Sequence, residues 1–452
     1  MNIIQVHPAG WGFREAGGAA TFTPWGCNYY DPFTGWPPRL WEQFDPTRVA
    51  AHFDDIRGIG GNVIRVFSTL ANVLAGPDQV SASGLAKMAR MLDLAGERGL
   101  RVIYSGPGLW EGAPPWWTEN YLYEAYARPD LIAIQQVAWR GIGSALRGHP
   151  ALMAYELHNE PFSPWRVSAP LREQWALWRA RFGPRAPEDL PAPCEPLFAD
   201  WHVDFQRFRE HIADAYVARM VEAIREVDDT HLVTIGLHQK SAPFDWYPPD
   251  PYTGFNPHRL ADRIDYTSLH FYPHHPFHPN IYRDPCETPE GMTETLCHAR
   301  AVLRYAHSAG KPVVMEECGW YGGGSPLTMN RELPARSEGE QAAYCRRLVE
   351  STAGDACGWL FWPYRDTPSS LDISRRGGLF NPEGALKEWG RDFSRMAKGI
   401  TGAIPTRVPG TRTLPLSWRE LVTDPEAVKA CRARYLDEFR RGEVVDFTID
   451  AQ

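Results

Sequence analysis

Several features common in other protein classes are missing from this 452-residue chain. The first residues contain no basic stretch followed by an apolar core, so we expect no signal peptide. No apolar run reaches the length of about 18 residues that a membrane-spanning helix requires, so we expect no membrane partner. The eight cysteines have no CxxC spacing, and several lie in apolar strand segments, so we expect free thiols and a cytoplasmic location.

The chain also lacks an excess of positive charge and a phosphate-binding loop. Its formal net charge is −8, which argues against nucleic acid or an anionic membrane as a partner. No glycine-rich loop follows the first predicted strand, as it would in a nucleotide-binding open sheet. Apolar residues make up 43% of the sequence, enough for a large core. The 18 tryptophans and 18 tyrosines suggest aromatic binding platforms, although most are expected to lie in the core.

Two apolar segments end abruptly in acidic residues. The segment 151–159 turns polar just before Pro161, which cannot donate a hydrogen bond to a strand ladder, so a strand is expected to end near Glu160. A second apolar segment ends in Glu317, with a glycine two residues later. Because the carboxyl ends of parallel barrel strands meet at one face, the two acids are expected to lie close together. Such a pair of carboxyl groups can cleave a glycosidic bond.

The rest of the chain alternates between strand and helix patterns. Strands are predicted at 21–30, 62–67, 100–105, 151–160, 231–236, 264–272, 310–317 and 357–362. Helices are predicted at 45–59, 83–98, 130–147, 200–227, 293–309, 337–352 and 384–396. This alternation predicts an α/β fold, a (β/α)8 TIM barrel over residues 1–397, with an open doubly wound sheet as the alternative. We expect residues 163–198 to form an insertion over the active-site face and residues 398–452 to pack on or beside the barrel.

The strand ends resemble glycoside hydrolase family 5, which belongs to the clan A retaining glycosidases. The run Asn159, Glu160, Pro161 matches the motif in which the glutamate is the acid/base and the asparagine holds the sugar 2-hydroxyl. Glu317 and the glycine two residues later match the nucleophile motif. Further matches are the second-strand arginine, the sixth-strand histidine and tyrosine, and the eighth-strand tryptophan, here Arg65, His270, Tyr272 and Trp362. Two positions depart from the pattern: Ser105 and Gly-Pro-Gly replace a third-strand histidine, and Cys318 replaces an aromatic residue.

The resemblance implies roles that residue chemistry supports. Glu317 would attack the anomeric carbon in its ionised form, favoured by Arg65 and Tyr272, and Glu160 would act first as an acid and then as a base. By strand alternation, Glu316 is expected to point away from Glu317 and to be structural. Glu156 is expected to pair with a buried arginine.

Four further tryptophans are placed near the catalytic end by their positions in the sequence. Trp110 follows the third strand, and Trp165 lies five positions after Glu160, so both are candidate substrate contacts. Trp175 and Trp178 share one face of a predicted helix at 171–181, and either line the cleft or pack on the barrel.

We therefore expect a retaining glycoside hydrolase for β-linked sugars, exo-acting on short β-mannosides or β-glucosides. The alternatives are an endo-acting β-glucanase or mannanase and an enzyme like a β-galactosidase. The histidines His274, His275 and His278 raise the further alternative of a metal-dependent barrel hydrolase, and an inactive carbohydrate-binding barrel is the last. We expect an oligosaccharide or glycoside as the partner, with no cofactor and no metal. The sequence leaves the oligomeric state open, a homo-oligomer included.

Overall fold

Eight parallel strands close into a barrel, as predicted. The computed structural model describes residues 1–18, 20–108, 112–117, 124–164, 168–190, 203–246, 252–275, 278–282, 284–328, 331–403 and 405–450. The barrel strands are β1 (Trp25–Tyr29), β2 (Val63–Thr69), β3 (Arg101–Gly108), β4 (Leu152–Asn159), β5 (Leu232–His238), β6 (Thr267–Phe271), β7 (Val313–Cys318) and β8 (Trp359–Phe361). Their apolar residues are buried on both faces, which is typical of a parallel sheet covered by helices.

Helices surround the barrel and confirm the predicted alternation. They are α1 (Pro46–Gly58), α2 (Ala82–Gly96), α3 (Pro129–Leu146), α4 (Ala169–Phe182), α5 (Val203–Arg225), α6 (Pro257–Leu260), α7 (Pro289–His307), α8 (Glu338–Thr352) and α9 (Glu388–Thr401). Side-chain caps fix several helix starts, as where the Asp45 carboxylate accepts hydrogen bonds from the backbone of Thr47 and Arg48 at the start of α1. The connection between β5 and β6 differs, because α6 has only four residues.

The predicted first strand, 21–30, is divided into two pieces. Thr21–Phe22 belongs to a small antiparallel sheet with Ile4–Val6 and Phe13–Glu15, whereas Trp25–Tyr29 forms β1. Pro24 lies between the pieces and has no N–H for a ladder. Ile4 and Phe13 pack with the first residues of the barrel strands, so the small sheet closes the end opposite the catalytic face.

Both strands that carry the predicted acids contain an irregularity just before the acid. On β7, Met315 pairs with Leu269 but Glu317 pairs with the very next residue of β6, His270, so Glu316 is an extra residue. On β4, the register advances three residues, from Glu156 to Asn159, while β5 advances two. Such bulges interrupt side-chain alternation and re-aim the following side chains. The expectation that Glu316 points away from Glu317 is therefore wrong: the side chains of both residues face Arg65.

The predicted insertion contains α4, which packs by its aromatic face. Trp175 and Trp178 stack at 5.1 Å between ring centroids, and Trp175 meets Phe208 of α5 edge-on at 5.3 Å. Both tryptophans are buried, so the shared face is a packing surface. That residues 163–198 wall the cleft remains a prediction.

The C-terminal residues contain two parallel strands, β9 (Arg412–Leu416) and β10 (Val445–Ile449), and the helix α10 (Pro425–Arg440). The Trp418 indole donates to the Glu210 carboxylate of α5 at 2.9 Å. Arg304 of α7 donates to Asp446 at 2.7 Å. These polar contacts tie the C-terminal segment to the barrel helices.

Shorter elements complete the chain. They are the helices Arg39–Glu42, Leu70–Val73 and Trp418–Leu421, the 3-10 turns Gln239–Ser241 and Ile373–Arg375, and the strand pairs Leu74–Gly76 with Gln79–Val80, His274–His275 with His278–Tyr282, and Leu327–Thr328 with Arg331–Glu332. Among the described residues, no helix combines the length and the apolar character needed to cross a bilayer.

Candidate active site

The two predicted acids meet at the carboxyl ends of β4 and β7. Oxygen atoms of Glu160 and Glu317 and a ring nitrogen of His270 all lie within 4.8 Å of one another. Carboxyl groups about 5–5.5 Å apart are typical of glycosidases that retain configuration, because one can attack the sugar directly while the other protonates the leaving oxygen. The sequence-based expectation that the two acids lie together is met in this geometry.

Glu317 is surrounded by donors. One oxygen accepts a hydrogen bond from Arg65 Nη1 at 2.8 Å, and the other accepts from the Tyr272 hydroxyl at 3.0 Å. Burial raises the pKa of Glu317 and the charge of Glu160 adds to this effect, whereas His270, Arg65 and Tyr272 oppose it. Arg65 and Tyr272 stabilise the charged form of Glu317, as the environment of a nucleophile requires.

Glu160 has a different set of partners. His270 Nδ1 lies 3.1 Å from its Oε1, and a quarter of the side chain is exposed to solvent. Burial raises the pKa of Glu160 to about 7, although Arg65 and Lys240 lower it. Burial and the charge of Arg65 lower the pKa of His270 to about 4, so the imidazole is neutral near pH 7. Glu160 is therefore protonated below neutral pH, as a general acid requires.

Arg65 organises the floor of the site from β2. Its Nε and Nη2 bind the two oxygens of Glu156 at 2.7 and 2.6 Å, and its Nη2 also donates to Asn159 Oδ1 at 2.6 Å. Burial alone would raise the pKa of Glu156, but the charge and hydrogen bonds of Arg65 lower it. The predicted pairing of Glu156 with a buried arginine is present. Because Arg65 occupies Asn159 Oδ1, the amide nitrogen of Asn159 is the end left to donate to a sugar hydroxyl.

Aromatic side chains line one side of the site. Trp362 is mostly buried, and its indole donates to Ser374 Oγ at 2.7 Å, which fixes the ring. Trp36, in the loop after β1, lies 5.4 Å from the Trp362 ring and 4.7 Å from the Phe67 ring. Together with Tyr30, 5.7 Å from Trp362, these rings form an aromatic wall. Aromatic faces of this kind are suited to the apolar face of a sugar.

Some predicted site residues cannot be placed. Trp110 and Trp165 lie outside the described residues, as do Pro276 and Phe277 in the histidine-rich loop. The backbone of His274, His275 and His278 forms a short strand pair, and their side chains also lie outside the description. Within the described part of the chain, the one group with metal-ligand proximity is the acid pair with His270.

Several neighbours of the acids were not predicted from the sequence. Asn28 of β1 accepts a hydrogen bond from Arg65 Nη1 at 2.8 Å. Ser105 Oγ, at the position that departs from the third-strand histidine pattern, donates to Glu156 at 2.6 Å. Gln239, just after β5, accepts from the Tyr272 backbone N–H at 2.8 Å. Gln239 follows β5 and Asn28 is the penultimate residue of β1, so the strand-end rule that located the acids could also have located these two, whereas Ser105 lies within β3. Trp36 had the same signal, an aromatic residue in a Gly/Pro-rich loop after β1.

Comparisons with known proteins agree with this geometry. The family model for Cellulase (glycosyl hydrolase family 5) matches residues 32–366. The fold is similar to that of the exo-β-1,4-mannosidase Op5Man5 from Opitutaceae bacterium strain TAV5, with a TM-score of 0.72 and 20% identity over 100% of this chain and 73% of that chain. It is also similar to a GH5_18 protein from Streptomyces cattleya in complex with GlcNAc, with a TM-score of 0.70 and 17% identity over 96% and 94% of the two chains.

A third similar structure is a β-galactosidase from the haloarchaeon Halorubrum lacusprofundi, with a TM-score of 0.70 and 14% identity over 95% of this chain and 67% of that chain. No curated protein sequence matches the chain. The family match spans most of the barrel, including both acids. The chain therefore belongs to glycosyl hydrolase family 5 and is a glycosyl hydrolase.

Proposed function

We propose that this enzyme is a retaining β-glycosidase that removes single sugars from short β-mannosides or β-glucosides. The observation that carries the proposal is the acid pair: two carboxyl groups within 4.8 Å, one bound by Arg65 and Tyr272 and the other lacking a cationic donor at bonding distance among the described residues. Different partners separate the pKa values of paired acids, which is the pattern of a nucleophile beside a general acid.

The reaction follows from these partners. Glu317 attacks the anomeric carbon while Glu160 gives its proton to the leaving oxygen, so that the glycosidic C–O bond breaks and a glycosyl ester forms on Glu317. Glu160, now a carboxylate, takes a proton from water, and the resulting oxygen attacks the same carbon and releases Glu317. Asn159 is placed to donate to the sugar 2-hydroxyl, a contact that strengthens in the transition state.

Preference for short substrates and for manno sugars has separate support. The aromatic wall of Tyr30, Trp36, Phe67 and Trp362 would close one side of the sugar site, as a pocket for a terminal sugar requires. One similar structure is named an exo-β-1,4-mannosidase, and another, from Bifidobacterium longum, is a GH5_18 variant in complex with Manβ1-4GlcNAc. A β-galactosidase among the similar structures makes galactosides the second candidate, and an endo-acting enzyme remains the alternative mode.

A substrate panel tests the proposal. Purified enzyme is incubated with p-nitrophenyl β-mannoside, β-glucoside and β-galactoside, with the matching β-1,4 di- and trisaccharides, and with a reduced trisaccharide. We expect fastest turnover of the mannoside or the glucoside and release of single sugars from the non-reducing end. Release of disaccharides from the middle of longer chains would refute exo-action and support the endo-acting alternative. Equal turnover after exhaustive chelation would discard a metal-dependent mechanism.

The roles of the two acids are tested by rescue with azide. Glu317→Ala lacks the nucleophile, so azide should attack once and give an α-glycosyl azide. Glu160→Ala still forms the glycosyl ester from an activated substrate, so azide should give a β-glycosyl azide. The same anomer from both variants would contradict the assignment. Glu383 is an exposed loop residue, so Glu383→Ala serves as the control outside the active site.

A further inference from the structure

The backbone of Glu160 has an unusual conformation. Its φ is +47°, and among the described residues it is the one residue other than glycine with positive φ. Residues with a Cβ avoid this region, so neighbouring contacts must hold Glu160 there. The conformation sets the direction in which the Cα–Cβ bond of the proposed acid/base leaves the end of β4.

Two hydrogen bonds hold the peptide group between Asn159 and Glu160. The Glu160 N–H donates to the Gly236 carbonyl of β5 at 2.8 Å. The Asn159 carbonyl, on the other side of the same peptide, is 2.8 Å from His158 Nδ1. A carbonyl oxygen only accepts, so His158 Nδ1 must carry the proton. Loss of this donor would leave the peptide plane held on one side only.

His158 is set up to provide that donor permanently. The side chain is buried, and burial lowers its pKa to about 4, so the ring is neutral near pH 7. In the neutral ring with Nδ1 protonated, Nε2 must accept, and the Tyr126 hydroxyl lies 3.3 Å from it. Tyr126 is itself buried and packs edge-on against Tyr216 at 4.9 Å. The Tyr126 hydroxyl can donate to Nε2, which fits the tautomer that the Asn159 carbonyl requires.

We propose that His158 is a positioning residue for this glycosidase: its Nδ1–H holds the Asn159–Glu160 peptide so that the Glu160 carboxyl points at the leaving oxygen. The inference rests on the proposed function of Glu160. Asn159 is separately fixed by its bond to Arg65, so loss of the His158 donor should displace Glu160 more than Asn159. The defect should therefore concern proton transfer and leave sugar binding nearly intact.

The matched variants are His158→Asn and His158→Leu. The amide nitrogen of asparagine can occupy about the position of Nδ1 and donate, whereas leucine fills similar space without a donor. The readout is kcat/KM with two aryl β-glycosides, one with a 2,4-dinitrophenyl leaving group that needs no acid and one with a p-methoxyphenyl leaving group that does. General acid catalysis is typically worth 10²–10⁴-fold.

We expect His158→Leu to lose about 100-fold with the p-methoxyphenyl substrate and less than about 3-fold with the 2,4-dinitrophenyl substrate, within the usual range for a general acid. His158→Asn should recover most of the loss. Tyr126→Phe, a milder change that removes the partner of Nε2, should show the same leaving-group pattern with a smaller loss. It keeps the test usable if the leucine variant does not fold.

Equal losses with both leaving groups, or an asparagine variant as poor as the leucine variant, would overturn the positioning role. Glu160→Ala is measured in parallel. If it also shows no dependence on the leaving group, the proposed role of Glu160 fails, and that result is distinct from failure of the inference about His158.

Discussion

The ionisation of Glu160 gives the sharpest test of the site. Burial, partly offset by Arg65 and Lys240, raises its pKa from 4.5 to about 7. At about 1.4 kcal/mol per pH unit, holding the charged form costs the folded protein about 3 kcal/mol. Solvent reaches a quarter of the side chain, which reduces the expected figure to about 2 kcal/mol. The same ionisation should therefore appear in two measurements, one of activity and one of stability.

In the activity measurement, kcat/KM is followed from pH 5 to pH 9. Because the acid form of Glu160 is the active one in the proposed mechanism, kcat/KM should fall about tenfold per pH unit above about pH 7. Glu160→Gln has no ionisable group there, so with a 2,4-dinitrophenyl glycoside its profile should lose this limb. An unchanged limb in Glu160→Gln would refute the assignment. His270 could not supply it, since its pKa is lowered to about 4.

In the stability measurement, the free energy of unfolding is obtained with urea at pH 5 and pH 8. A carboxyl group whose pKa is higher in the folded state favours folding below its unfolded pKa, and this contribution is lost as the pH rises through about 7. Glu160→Gln should therefore gain about 2 kcal/mol relative to the wild type between the two pH values. Glu383→Gln, at an exposed loop position, is the control and should show little change. Equal pH dependence in all three proteins would contradict the effect of burial.

Three further predictions concern the partners of the acids. Tyr272→Phe removes a hydroxyl that donates to Glu317 and should lower kcat about 10- to 100-fold with KM nearly unchanged. An unaltered kcat would show that this hydrogen bond does not contribute to catalysis. Glu156→Gln removes the carboxylate bound twice by Arg65, and urea unfolding should show a loss of about 3 kcal/mol, whereas wild-type stability would refute the buried pair. Gly236→Ala would place a Cβ 2.6 Å from a Glu156 oxygen and should lower kcat more than about tenfold. Circular dichroism checks that the variant is folded. A wild-type kcat would mean that the neighbouring side chains accommodate the methyl group without disturbing the site.

The barrel and the acid pair could be predicted because both depend on local patterns. Each strand is a short apolar run followed by polar residues, and the parallel topology brings all carboxyl ends to one face. That reasoning brought Glu160 and Glu317 together, and the family resemblance added Arg65 and Tyr272, both of which donate to Glu317 in the structure. This prediction did not require the strand order, because in a closed parallel barrel the carboxyl ends of all strands lie at the same end.

The register of the strands could not be predicted in the same way. Alternation predicted that Glu316 points away from the site, but the extra residue on β7 turns it inward, where Tyr266 donates to it at 2.5 Å. A bulge cannot be recognised in a single sequence. In an apolar strand that ends in two neighbouring glutamates, the sequence does not show whether strict alternation holds or whether an extra residue turns both side chains to the same face. The partners of Arg65 follow from the bulges on β4 and β7, and only the three-dimensional pairing reveals them.

Arg65 faces three carboxyl groups, those of Glu156, Glu316 and Glu317, and this arrangement is useful to the proposed chemistry. Burial and the charge of Glu156 raise the pKa of Glu316 well above its usual range, and the Tyr266 hydroxyl donates to its Oε1 at 2.5 Å. The hydrogen bonds of Arg65 to carboxyl groups are divided unequally, because Glu156 accepts two and Glu317 accepts one. A guanidinium bound to Glu317 alone would stabilise its anion fully and weaken it as a nucleophile. Because Glu156 accepts two of these hydrogen bonds, Arg65 stabilises the Glu317 anion only in part, and in the proposed mechanism the remaining charge is relieved when Glu317 bonds to the anomeric carbon.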